Sequence, residues 1–306
     1  MIPTVSAVQN QSGTSAGAPA KRMIIFMVVF ECLLFGAALV ASFVVPDPTT
    51  SRVILLGAAL IMVLLSLAVM VKVIRVQRDG LAALLVEQHE QQVHSRNAVI
   101  FGLAKLAESR DDDTGQHLER IRSYVEVLLG VLASRDPELT PERVAVIIET
   151  SSLHDIGKVG VPDSILLKPG PLTDDEFDII KRHTNIGGDT LFALKQQWDE
   201  NDFLSTACAI AFAHHERWDG TGYPFKLEGE IIPFEARVVA LADVYDALTT
   251  KRVYKPAMSH DEAAAIIREG SGAHFDPVMV DAFDECESEF EQIAQRMREH
   301  PTSIEG

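Results

Sequence analysis

The stretch Leu153–Lys158, Leu-His-Asp-Ile-Gly-Lys, sets an imidazole, a carboxylate and an ammonium group close together where an apolar helical pattern runs out. Adjacent His154 and Asp155 can serve two metal ions, with the imidazole taking one and the aspartate bridging both through its two oxygens. Lys158, one turn later, can meet an anion or simply cap carbonyls at a helix end. A His-Asp pair alone is far more often a surface or capping pair, so the metal reading needs other donors to converge on it. His117 extends the Ile121, Tyr124, Leu128 stripe back by one turn; His154 follows Ile147 and Ser151, and His183 follows Phe177 and Ile180. His214 follows Ala207 and Ile210, and Asp243 follows Ala236 and Val239. Each polar group falls where the helical period puts a buried contact. Taken singly, each histidine is better read as a hydrogen-bonded core residue. Together with His215 and the two aspartates they are too many ionisable groups for one bundle unless divalent metal compensates them. Imidazole and carboxylate donors without thiolate suit iron, manganese or a similar ion, and a pair of ions bridged by Asp155 suits attack of water on phosphorus.

A second informative stretch runs from His214 to Pro224, His-His-Glu-Arg-Trp-Asp-Gly-Thr-Gly-Tyr-Pro. Paired histidines lead into a glycine-bearing turn that allows close backbone approach, and Tyr223 either stacks on a base or packs within an ordinary loop. Glu216 and Asp219 read as groups that orient ligands or the loop. His274 reads as packing or capping the terminal helix, and His89, His94, His260 and His300 read as solvated.

The elements that position these groups are helical throughout. Ile121, Val125, Leu128 and Leu132 form one stripe, and Thr140-Pro141 opens the next helix with an N-cap and a proline at its first position. Thr173 with Glu176, and Ser259 with Glu262, are capping boxes. Further helices are expected at Phe203–Glu216, Phe234–Leu248 and Val278–Arg298, and no alternating runs suggest a large sheet. Ahead of this all-α domain, residues 1–22 form a disordered tail, and two apolar runs, 23–45 and 53–73, are long enough to span a bilayer as a hairpin within 23–74. Lys21, Arg22, Lys72, Arg75 and Arg78 flank its open ends, which places both termini and the catalytic domain in the cytoplasm. Glu31 lies deep in the first span and is either a sensing or proton-linked residue or a carboxyl paired across the helix interface. A connecting helix, 75–100, with a broken apolar seam offers a weak homodimer contact and leads into a domain over 101–306. The chain of 306 residues is 47% apolar, with a formal charge of −17 and three scattered cysteines. That charge excludes a protein that coats nucleic acid polymers, and the cysteine spacing indicates a reduced compartment without a disulfide framework.

His154-Asp155 with Gly157-Lys158, and His214-His215-Glu216 through Asp219-Gly220-Thr221-Gly222-Tyr223-Pro224, resemble the two defining motifs of the HD-GYP family, a branch of the HD phosphohydrolases. The likeness extends from Phe101 to the C-terminal helix through His183-x-x-x-Gly187, Asp243-x-x-Asp246-Ala247-Leu248-Thr249 and Gly272-x-His274-Phe275-Asp276-Pro277. The resemblance implies an HD-type helical bundle that hydrolyses cyclic di-GMP to pGpG and then GMP with two or three iron or manganese ions, here anchored in the bacterial inner membrane. It implies His117, His154, Asp155, His183, His214, His215 and Asp243 as metal ligands, with Asp155 and Lys158 catalytic. Lys158, Arg252, Tyr254, Lys255, Gly222, Tyr223 and Pro224 become substrate contacts, and the Gly-Tyr-Pro loop a contact for diguanylate cyclase partners of the GGDEF type. Where the family often has glutamate, one turn before His117, this chain has Asp113, shorter by one methylene. A binuclear centre without a third ion, and pGpG as the end product, are therefore expected. The alternatives are a phosphodiesterase for another cyclic dinucleotide and a nucleotide receptor or scaffold without turnover.

Overall fold

Every periodic apolar stripe becomes helix. The computed structural model describes residues 17–45, 47–110, 116–198, 202–251 and 257–299, and among them are eleven α-helices, short 3-10 turns and no strand. The chain divides into two compact units, Met1–Ser95 and Arg96–Gly306.

In the first unit, α1 (Gly17–Val44) and the early part of α2 (Pro48–Glu108) carry the two apolar runs. Both helices contain segments long and apolar enough to cross a bilayer, which is compatible with a membrane anchor. Asp47 starts α2: its carboxylate accepts from the Thr50 amide at 2.9 Å, and Pro48 supplies the fixed φ suited to a first helical residue. The Ser51 hydroxyl donates to the Ser42 carbonyl at 3.0 Å and closes the turn. Glu31 is paired, since the Ser66 hydroxyl of α2 donates to its carboxylate. The second apolar run and the connecting segment form one helix, with Gly80 accommodated inside it.

The second unit holds α3 (His117–Arg135), α4 (Pro141–Thr150), α5 (Asp163–Leu166), α6 (Asp174–Trp198), α7 (Asp202–Ala213), α8 (Phe234–Thr249), α9 (His260–Glu269), α10 (Pro277–Glu285) and α11 (Glu287–Glu299). Helices α3 and α8 form its centre. Ile121, Tyr124, Val125 and Leu128 are fully buried, as the stripe requires. Tyr124 stacks on Phe290 at 4.8 Å and meets Tyr245 edge-on at 5.2 Å, while Phe283 meets Phe290 at 5.0 Å. These aromatic pairs, each contributing about 0.5–1.5 kcal/mol beyond area burial, fasten α10 and α11 to the centre. A second cluster of Ala104, Leu118, Leu153, Leu191, Phe203 and Ala207 joins the end of α2 to α3, α6 and α7.

The expected caps are present. Thr140 accepts from the Arg143 amide at 3.3 Å ahead of Pro141. Both halves of the Thr173–Glu176 box form, at 2.8 and 3.3 Å, as does the Ser259–Glu262 box. Three expectations are corrected. The helix expected to reach Glu216 ends at Ala213, because neighbouring helical residues point about 100° apart and cannot aim two adjacent imidazoles at one site. The single helix expected over Val278–Arg298 is two, broken at Cys286, so that Glu287 and Glu289 fall in the first turn of α11, where the helix dipole favours acids. His260 is not solvated: its Nδ1 lies 2.8 Å from the Tyr245 hydroxyl and its Nε2 3.2 Å from Glu287.

After α4 the chain tightens into two 3-10 turns, Ser151–Leu153 and Ile156–Gly160, with His154 and Asp155 between them. The second turn lies directly on α6. A Cβ at Gly157 would come within 1.9 Å of the His183 carbonyl oxygen and 2.5 Å of the Gly187 nitrogen, so only glycine fits. Gly157→Ala therefore lowers stability by about 3 kcal/mol. By contrast, Gly130→Ala, where an added Cβ on the exposed face of α3 meets nothing within 4 Å, raises it by about 0.5–1 kcal/mol. Thermal unfolding of the detergent-solubilised chain, followed by circular dichroism, measures both.

Candidate metal centre

The orientation of each imidazole follows from its place on the backbone. His154 Nδ1 lies 2.8 Å from the Ser151 carbonyl oxygen, His183 Nδ1 2.7 Å from that of Ile180, and His214 Nδ1 3.0 Å from that of Ile210. A carbonyl only accepts, so each Nδ1 carries a proton and each Nε2 faces the centre, where it is the donor atom of the neutral ring. In all three cases the acceptor sits three or four residues earlier, within the helical turn that ends at the histidine. His117, the first residue of α3, has no such carbonyl. Its Nδ1 is instead held at 2.7 Å by Asp246 Oδ2 of α8, whose carboxylate also receives Arg120 Nε at 2.6 Å and Nη2 at 2.9 Å. Burial opposes ionisation of Asp246, but the bonds from His117 and Arg120 prevail and hold its pKa at about 2.

The four Nε2 atoms then face one another. His117 and His154 approach to 3.4 Å through Nε2, and so do His183 and His214. With Nδ1 protonated in every ring, each of these Nε2 contacts needs a cation between its two nitrogens, a proton or a metal ion. Asp155 joins the two pairs. Its Oδ1 is 3.2 Å from His183 Nε2 and 3.7 Å from His214 Nε2, and is buried without a hydrogen bond of good geometry. Its Oδ2 is 3.3 Å from His154 Nε2 and 2.9 Å from Lys158 Nζ. Separations from 3.2 to 3.7 Å mostly exceed ordinary hydrogen-bond lengths. All but the longest match the edges, about 3.0–3.6 Å, of a polyhedron built on metal bonds of about 2.0–2.2 Å. The residues fit divalent metal. Their donors fall into two groups, Asp155 with His183, His214 and His215, and His117 with His154 and Asp243, the donor atoms of each lying within 4.8 Å of one another.

Without metal the groups titrate unequally. Burial disfavours the charged form of His154, yet the neighbouring Asp155 and Asp243 carry its pKa to about 9. Burial and neighbouring imidazoles lower His214, and hold His215 well below the ordinary histidine value. Asp155 stays ionised despite burial because Lys158 and His154 face it.

Around this centre the scaffold is tied down by polar contacts. Arg110 donates to the carbonyls of Val159 at 2.9 Å and Val161 at 3.1 Å and pairs with Asp163, holding the turn that bears Lys158. Buried Glu216 accepts from the amides of Phe225 at 2.7 Å and Leu227 at 3.1 Å and so straps the loop after the paired histidines. Asp219 accepts from the Thr221 amide and hydroxyl at 3.0 and 2.6 Å. Both acids thus shape the loop. Tyr223 packs its ring on His215 at 4.8 Å, Lys181 Nζ lies over the Tyr223 ring 5.8 Å from its centroid, and the Tyr223–Pro224 peptide is cis. Gly222 is buried, and a Cβ there would lie 2.4 Å from the Arg217 nitrogen. His274 stacks on Phe275 at 4.2 Å and its carbonyl accepts from Trp218, while Asp276 is the residue that caps α10.

The structure thus gathers His117, His154, Asp155, Lys158, His183, His214, His215 and Asp243 in one place. Asp113, Arg252, Tyr254 and Lys255 lie outside the described residues. Sequence reasoning missed the roles of Asp246, Arg120 and Arg110. Asp246 stood in the Asp243-x-x-Asp246 motif without a role, and Arg120 left a signal as a basic residue one turn after His117 on the same buried face.

The HD domain family matches residues 102–279, more than half of the chain, and the chain belongs to that family. Over 208 residues it is 50% identical to a cyclic di-GMP phosphodiesterase of Vibrio cholerae serotype O1, covering 67% of this chain and 42% of that protein. It is 42% identical over 208 residues to the cyclic di-GMP phosphodiesterase response regulator RpfG of Xanthomonas campestris pv. campestris, covering 68% of this chain and 51% of the relative. A 3'3'-cGAMP-specific phosphodiesterase 2 of Vibrio cholerae is 37% identical over 192 residues, covering 63% of this chain and 35% of the relative. The chain spans about half the length, or less, of these curated relatives.

Two outcomes follow from the site's electrostatics. Because His154 is protonated at neutral pH in the empty site, metal uptake at pH 7 releases about one proton from it, read by titration calorimetry in buffers of different ionisation enthalpy, and affinity falls as the pH drops. Asp246→Asn weakens metal binding about 10–100-fold and, by leaving Arg120 without its carboxylate, destabilises the fold by about 3–5 kcal/mol. The folded value of about 2 lies below the ordinary 3.8, so ionised Asp246 contributes stability above pH 3.8 that is lost as pH falls through 2. Acid unfolding of the variant lacks that component.

Proposed function

We propose that this chain is a membrane-anchored, metal-dependent phosphodiesterase that hydrolyses cyclic di-GMP to pGpG. The observation that carries the reading is the shared carboxylate: Asp155 faces His183 and His214 through Oδ1, and His154 and Lys158 through Oδ2. One carboxylate shared by two sets of donors suits a pair of divalent ions, of which iron or manganese best matches the imidazole and carboxylate set. His117, His154 and Asp243 would hold one ion and His183, His214 and His215 the other, with Asp155 common to both. Bound there, the ions would supply Lewis-acid activation of water and of a phosphodiester.

The chain's own residues supply orientation and charge. Lys158 is partly exposed beside Asp155, where its ammonium neutralises a non-bridging oxygen of the scissile phosphate. Water adds to phosphorus and the bond to the ribose 3'-oxygen breaks, leaving a 5'-phosphate and a 3'-hydroxyl. Tyr223 fixes the ring plane of His215, and Glu216 holds the loop that bears Tyr223. Gly222, Tyr223 and Pro224 border the entry, and Arg252, Tyr254 and Lys255 are assigned to the nucleotide. With Asp113 in place of glutamate the centre is binuclear and pGpG is the end product.

The domain division proposed is a tail over 1–22, a hairpin over 23–74, a connecting helix over 75–100 and the HD domain over 101–306. The hairpin anchors the domain in the inner membrane, with both termini in the cytoplasm, where cyclic di-GMP is made. A GGDEF-type cyclase docking on the Gly-Tyr-Pro loop, and homodimerisation, belong to the same proposal. A second reading, hydrolysis of 3'3'-cGAMP, is favoured by the 37% identity to the Vibrio cholerae enzyme of that name.

The detergent-solubilised chain, loaded anaerobically with Fe(II) or Mn(II), is expected to hydrolyse cyclic di-GMP faster than 3'3'-cGAMP and to accumulate pGpG. His154→Ala and Asp155→Ala abolish turnover, and Lys158→Ala lowers kcat about 100-fold. A folded, metal-loaded chain that binds the dinucleotide without cleaving it is a receptor instead. Faster cleavage of 3'3'-cGAMP moves the second reading ahead.

A further inference from the structure

We propose that Glu108 is a further metal-facing carboxylate, completing the His117, His154 and Asp243 group. The inference rests on the metal-centre reading above and deepens it. Glu108 is the last residue of α2, and Ala104 and Ala107 in the same turn are buried in the second unit. Lys105 pairs with Glu119 of α3 at 2.8 Å, so the end of α2 is held against the start of α3. The Glu108 side chain is 5% exposed, and its Oε1 lies 3.5 Å from His117 Nε2.

That contact is made at Nε2, the metal-binding nitrogen, because Nδ1 is already taken by Asp246 at 2.7 Å. A charge-assisted hydrogen bond to a protonated imidazole would close to about 2.7–2.9 Å. A separation of 3.5 Å is instead the edge of a coordination polyhedron, close to the 3.4 Å between His117 and His154. It is shorter than the 3.7 Å from His117 to Asp243, a residue the motif already implicates. A buried carboxylate and a buried imidazole nitrogen at this separation leave room for a cation between them, and a metal ion there would be bound by both.

The two groups then differ in chemistry. The Asp155 side offers three imidazoles and one carboxylate oxygen; the His117 side offers two imidazoles with carboxylates from Asp243 and Glu108. The oxygen-richer side prefers a harder ion such as Mn(II), and the imidazole-rich side an ion such as Fe(II) or Co(II).

The full chain in detergent, stripped of metal and titrated with Co(II), is expected to take up two ions in unequal steps. Glu108→Gln keeps the Asp155-side ion and binds the other at least about 10-fold more weakly, with a changed visible Co(II) spectrum. Glu108→Asp, which keeps the charge, recovers part of the loss. It also decides the matter if the glutamine variant loses its helical signal: a weakened second ion in Glu108→Asp supports the proposal, and unchanged binding overturns it. Two ions bound by Glu108→Gln with wild-type affinity and spectrum would make Glu108 a charge neighbour only. Absence of Co(II) uptake by the wild-type chain would overturn the metal-centre reading itself, a separate and distinguishable failure.

Discussion

Carbonyl oxygens accept and never donate, and that asymmetry governs the arrangement of this domain. Once Ser151, Ile180 and Ile210 hold the Nδ1 protons of His154, His183 and His214, the three Nε2 lone pairs have no choice of direction. They converge on Asp155, whose charge is met by Lys158, by protonated His154 in the empty site and by whatever metal ion enters. A hydrophobic core would relieve such convergence by rotating a ring away. Here each ring is locked by its own helical turn, so the strain is relieved by binding.

The rest of the second unit can be understood as what keeps those turns from shifting. The glycine contact between residue 157 and α6 brings the backbone bearing Asp155 so near that His183 and Asp155 are fixed by main chain rather than by side-chain packing. Arg110 fastens the same turn from the opposite direction through carbonyls that a 3-10 segment leaves unsatisfied. The aromatic cluster of Tyr124, Tyr245, Phe283 and Phe290 sets the spacing of α3 and α8, and with it the distance from His117 to Asp243.

The helical fold and the donor set were legible because each donor interrupts an apolar stripe at the helical period, as His117 does ahead of Ile121. What supports the donors was not. Asp246 and Arg120 are complementary charges 126 residues apart, and no local pattern links them. His260 follows the capping Ser259 as the first residue of α9 and so reads as surface, while its partner, the Tyr245 hydroxyl, comes from a different helix. Adjacent His214 and His215 continue the stripe of α7 in sequence, but aiming both rings at one centre required the helix to stop. Tyr223 left two readings open until its ring was found on His215.

The backbone acceptors of His154, His183 and His214 are beyond the reach of substitution, since every residue type offers the same carbonyl. His117 is different: standing first in its helix, it borrows a side chain, Asp246, to set its tautomer. Of these four rings it is therefore the one whose electron-donating strength a single codon change can adjust. Divergence in metal preference among chains sharing this scaffold has an economical route there, through residues that never touch the ion.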